Sequence, residues 1–148
     1  MLQQIALGSL LVVITTAVHA LCTAGVIRTL RLTHADRWAY ESSGRRVFLL
    51  SALVLMLFLA TLLELNIWGV TYLAVGAIRE IEPALYFSTV TFTTLGYGDV
   101  TLDANWRLLA SFEAANGTIM FGWTTAIVVA VLHRMVGHRS EGAEAALT

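Results

Sequence analysis

The segment TTLGYGD, Thr93 to Asp99, sets two glycines on either side of a tyrosine within a largely apolar chain. Its side chains include no histidine or cysteine, and its one acid is at the end, so any chemistry has to come from the main chain. Glycine reaches positive φ at little steric cost. If left-handed conformers at Gly96 and Gly98 alternate with ordinary ones at Leu95 and Tyr97, successive carbonyls turn to the same side, unlike those of a strand. Such a run is a stack of oxygen ligands. One chain supplies one oxygen per level, so a cage needs several chains around an axis. Leu95 and Tyr97 then point away from that axis and wedge the loop open.

Little else in the sequence suits catalysis. No nucleophile–base pair or metal-ligand set can be picked out, so neither an enzyme nor a cofactor is expected. His19 and the single cysteine, Cys22, are three residues apart on one helix face. Two ligands without a third do not make a metal site, and packing is the simpler role for both. No basic stripe with interleaved aromatics is present, so no nucleic-acid partner is expected.

The elements that must position the TTLGYGD loop belong to a membrane protein. Of 148 residues, 57 % are hydrophobic and 13 % charged, where soluble domains carry about a quarter charged. Three stretches reach the roughly 20 apolar residues that a bilayer crossing needs. They run from about Ile5 to Leu30, Val47 to Val70 and Trp106 to His133. The expected division is residues 1–46 for a peripheral helix and an arginine-rich loop, 47–134 for the unit holding the loop, and 135–148 for a short tail. Residues 1–11 carry no basic side chain and the apolar run is long, which argues against a cleaved signal.

Arginine counting sets the orientation. Arg31, Arg37, Arg45 and Arg46 occupy the first loop, with Arg28 just before it, and Arg134 and Arg139 the tail. The positive-inside rule places these in the cytoplasm, with the N-terminus and the glycine loop outside. The expectation is a multi-pass protein of the cell (inner) membrane. Arg28 and Arg31 read as topology anchors, and His133 and His138 as solvated histidines near the inner end.

Pro83, the single proline, suits a helix's first turn, where Glu80 and Glu82 favour the dipole. A short helix from Pro83 to about Thr93 follows. It is too short to cross, so it enters partway and returns through TTLGYGD. Irregular backbone at that depth is tolerated only where protein buries it or water bathes it.

ALYFSTVTFTTLGYGD, Ala84 to Asp99, resembles the pore helix and filter of bacterial potassium channels, whose signature is TTVGYGD. NGTIMFGWTTA, Asn116 to Ala126, is similar to their inner helix. The resemblance runs from Pro83 to about His133. It implies an all-α membrane fold: three transmembrane helices plus a re-entrant pore helix and filter loop, four copies assembling around one axis. It implies K+ bound by the carbonyls of Thr94, Leu95, Gly96 and Tyr97, with the Thr94 hydroxyl at the inner end and Gly98 and Asp99 in the outer turn. It also implies K+ as the permeant ion, with membrane lipid and three further copies of the chain as partners. Thr93 and Tyr86 would support the filter, and Gly117 falls on the family's gating-hinge glycine.

Leu95 stands where valine or isoleucine is usual, which loosens the case for tight selectivity. Phe87 replaces a tryptophan donor, and Val90 stands where some members have glutamate. Tyr86 retains a hydroxyl able to meet Asp99. In the third span, Thr118, Phe121, Thr125 and Val129 share one face, either lining a cavity or packing helices. Glu113 either steadies the filter, through its threonines, or is a carboxyl without effect on conduction. Glu64 reads as a boundary residue in an interfacial belt with Asn66, Trp68 and Tyr72. Three functions stay open: a potassium-selective channel, a weakly selective cation channel, and a non-conducting scaffold or regulatory subunit with the pore fold.

Overall fold

The computed structural model describes the backbone of residues 1–33 and 42–145, and side chains within 1–31 and 42–133. Arg37, Arg134, Arg139 and His138, used above for orientation and the inner end, lie outside those described side chains. Four helices and no strand make up the described residues: α1 (Leu2–Thr33), α2 (Ser43–Ala74), α3 (Ile81–Phe92) and α4 (Arg107–Ala145). Three of them, over Leu2–Arg31, Ser43–Ala74 and Arg107–His133, are long and apolar enough to cross a membrane. Within the stretch read as a short tail, α4 continues to Ala145.

α2 buries Leu53, Leu57, Ala60, Thr61, Glu64, Leu65, Trp68, Gly69 and Tyr72. These recur every three or four residues and form one stripe. The belt reading of Trp68 and Tyr72 is therefore corrected: both rings are fully buried inside the protein, as is Glu64, whereas Asn66 faces outward. Depth along a helix does not fix azimuth, and these three residues share the face turned to the other helices. α2 ends where Gly76 turns left-handed at φ 70°, and Ala77 N–H bonds back to the Tyr72 carbonyl at 2.9 Å.

α3 starts two residues earlier than expected, so Pro83 is its third residue rather than its first. The exchange is harmless, because the first four helical N–H groups lack an intrahelical partner. At 12 residues it is about 18 Å long, too short to cross. It is wedged between α2 and α4. Gly69 gives room for Leu85 and Ala84, and Phe92 packs edge-to-face on Phe121.

α1 runs antiparallel to α2 and parallel to α4. His19 meets Glu64, and Val26 packs with Leu53 and Leu57 of α2 and with Ile127, Val128 and Val131 of α4. α4 passes without interruption through Gly117, where the Phe92 carbonyl closes against the helix and would collide with any Cβ. The structure thus supplies a packing reason for glycine at 117. Gly117→Ala should cost about 1–3 kcal/mol through overpacking, seen as a lower Tm in detergent. Gly25→Ala, where nothing lies within 4 Å of an added Cβ, should leave the Tm unchanged or raise it.

Candidate functional site

The loop begins where α3 ends. Thr93 N–H and Oγ1–H both bond the Thr89 carbonyl, and Thr94 N–H bonds that of Thr91. Thr94 then turns left-handed at φ 60°, followed by Gly96 at 58° and Gly98 at 79°. Leu95 and Tyr97 are not among the positive-φ residues. The left-handed conformer therefore recurs at every second residue from 94 to 98. Sequence reasoning assigned it to the two glycines and missed Thr94. A β-branched residue there is a genuine outlier and costs roughly 1–2 kcal/mol. Gly96 N–H reaches back to the Val90 carbonyl at 3.2 Å, pinning the loop to α3.

The side chains leave the loop. Leu95 and Tyr97 are 58 % and 68 % exposed in the single chain. Behind the loop is a cleft of about 520 Å³, lined among others by Phe87, Val90, Thr91, Gly98 and Val100. At its outer edge the Tyr86 hydroxyl donates to Asp99 Oδ2 at 2.6 Å. That bond, aided by the Asp99 and Val100 amides, holds the Asp99 carboxyl below its usual range; it also holds the Tyr86 phenol above its own. Phe87, without a donor, packs edge-to-face on Tyr72 at 5.1 Å.

Beneath α3 a buried network joins three helices. Glu113 of α4 accepts from the Tyr72 hydroxyl of α2 at 2.6 Å and from Ser88 Oγ of α3 at 2.5 Å. Ser88 Oγ is also 2.9 Å from the Leu65 carbonyl, so one hydroxyl proton faces two acceptors. The partners of Glu113 are thus Tyr72 and Ser88, not the threonines near the loop. Tyr72 and Ser88 were missed because one read as interfacial and the other as an ordinary helix residue. Their signal was there: each falls on its helix's apolar stripe.

Thr118, Phe121, Thr125 and Val129 share a face that is exposed in the single chain. Thr118 and Thr125 bond the carbonyls one turn back, at 3.1 and 2.9 Å, which hides their polarity within the helix. His19 and Cys22 recruit no metal partners: among the described residues no three His, Cys, Asp or Glu side chains gather to hold an ion.

Two outcomes follow from these bonds. Glu113→Leu orphans the Tyr72 hydroxyl and should cost about 1–3 kcal/mol. Glu113→Gln keeps one acceptor for Tyr72 and gains a donor for Ser88, whose proton then serves Leu65. Its Tm should stay near wild type, and thermal unfolding in detergent compares the two. Asp99 is the titrating case. Its lowered pKa means that its contribution is complete above the ordinary carboxylate value and is lost as pH falls through the lowered one. Tyr86→Phe should move the Asp99 midpoint up toward about 3.9, as followed by its carboxyl ¹³C resonance.

Comparison with known proteins bears on this geometry. Searches among curated proteins and solved structures return no match. The profile of a family described as ion channel matches residues 52–134, over half of the chain, spanning most of α2, all of α3, the glycine loop and α4 as far as residue 134. With its long apolar helices it is a multi-pass membrane protein, and the chain belongs to the ion channel family.

Proposed function

We propose that four copies assemble around one axis and conduct K+ through a filter made of the carbonyls of Thr94, Leu95, Gly96 and Tyr97. The observation that carries this reading is the left-handed turn at every second residue, Thr94, Gly96 and Gly98. That alternation aims successive carbonyls at one side, so four chains make stacked rings of oxygens that replace an ion's hydration shell. Gly98 and Asp99 form the outer turn, held by Tyr86; Thr93 and Glu113 hold the loop and α3 from behind. The C-terminal end of α3 carries partial negative charge and favours a cation beneath the filter.

Exposure supports the assembly. Leu95 and Tyr97 are large side chains left open on an irregular loop, as is Phe121 on α4. Neighbouring copies would cover them, and the face of Thr118, Phe121, Thr125 and Val129 would then line the cavity below the filter, with Gly117 at its upper end. The N-terminus lies outside and the C-terminus in the cytoplasm of the cell (inner) membrane. K+ is the permeant species, and no catalytic step or cofactor takes part.

The test is a reversal potential in liposomes with K+ and Na+ on opposite sides. The K+ equilibrium value is expected; a reversal near zero with robust current would make this a weakly selective cation channel, in keeping with Leu95. Absence of current from a well-assembled tetramer would favour the scaffold. Gly96→Ala should abolish conduction while leaving the assembly intact. Nothing lies within 4 Å of an added Cβ in the single chain, so the penalty comes from φ 58°, about 1–2 kcal/mol.

A further inference from the structure

The family match covers residues 52–134, so α1 lies outside it. Yet α1 is bonded to α4 at three levels. Gln4 Oε1 accepts from the Leu108 amide at 3.2 Å, in the first turn of α4, where no helical carbonyl is available. Asn116 Nδ2 donates to Thr15 Oγ1 at 2.8 Å. His19 Nε2 is 3.4 Å from Thr124 Oγ1, and the ring meets Trp123 edge-on at 5.5 Å. Its other nitrogen, Nδ1, is 2.8 Å from Glu64 Oε1 of α2, with both side chains fully buried.

These anchors flank Gly117. Leu108 and Asn116 precede it; Trp123 and Thr124 follow. The outer half of α4 is also held by α3, through Glu113, Gly117 and Phe121. Farther along, Thr124, Ile127, Val128 and Val131 face α1 and α2. The buried face of α1 is largely polar, with Gln4, Thr15, His19 and Thr23 among its buried residues. Lipid tails are as apolar as leucine, so this polarity, not hydrophobicity, selects where α1 packs.

We propose that α1 is a splint that keeps the inner half of α4, from Trp123 to His133, in line with its outer half, and that His19 is its positioning residue. Swinging the inner half away from the outer breaks the contact with His19. Separating His19 from Glu64 as well leaves two fully buried polar side chains without each other, which is costly. His19 therefore stays with Glu64, and the contact that such a swing breaks is the one between the ring and Thr124 and Trp123. Loss of it frees the inner half while the outer half keeps its anchors to α3. The consequence for gating rests on α4 lining the proposed pore; the splint itself does not.

Amide hydrogen exchange in lipid nanodiscs tests the splint without needing conduction. In His19→Leu, exchange over residues 123–133 should accelerate roughly tenfold, as for one lost buried bond, while residues 108–116 stay within about twofold. His19→Gln, whose amide offers Glu64 a donor and the Thr124 hydroxyl an acceptor, should lie near wild type. Open probability should change at least about threefold in His19→Leu, with the reversal potential unmoved. Unchanged exchange, or acceleration of both halves alike, overturns the proposal. Should His19→Leu not assemble, Thr124→Val gives the same readout with a smaller change at the same site. A wild-type protein without current, but with exchange confined to the inner half of the variant, would reject the pore and keep the splint.

Discussion

The constraint on which the rest depends is that a polar group at membrane depth has to look to protein for its partner, because lipid offers none. Glu113 meets it by accepting from Tyr72 on α2 and Ser88 on α3. Those two bonds fix the depth and rotation of α3 between the helices on either side. The Gly96 amide is bonded to the Val90 carbonyl, so the loop inherits its position from α3. Main-chain groups have no side-chain rotamers to adjust; they can be aimed only by what stands behind them.

The same constraint explains α1. A helix of apolar residues has no reason to prefer one groove over another when its surroundings are hydrocarbon. Gln4, Thr15 and His19 supply the reason, each finding a partner on α2 or α4. Gly8 lets the two helices approach at Phe112, where a Cβ would sit 2.7 Å from the ring. Close contact and hydrogen bonds together drive helix association in lipid. The outward side of α1 is apolar, with Leu10, Val13 and Leu21 exposed.

Much was legible residue by residue. The three spans, the short helix and the glycine loop follow from run length, Pro83 and the alternation of glycine, because these are local properties. Their ends shift by a few residues, since helix termini depend on partners such as the Gln4 side chain at α4. What was illegible were the pairings. Glu64 was placed by depth at a boundary, whereas it is buried against His19, 45 positions away. Tyr72 looked like an interfacial anchor and instead donates to Glu113. Thr94 gave no sign of its left-handed backbone, because β-branched residues disfavour that region.

By itself the sequence determined that the chain is a helical membrane protein with one short segment in which glycine alternates with other residues; composition, hydropathy and residue type suffice for that. Only the tertiary structure decided which polar groups meet: Glu113 with Tyr72 and Ser88, His19 with Glu64 and Thr124. The physical reason is that hydropathy and period describe a helix against a uniform surrounding. A buried hydrogen bond depends on azimuth and depth in two helices at once, and those are set only when the helices pack.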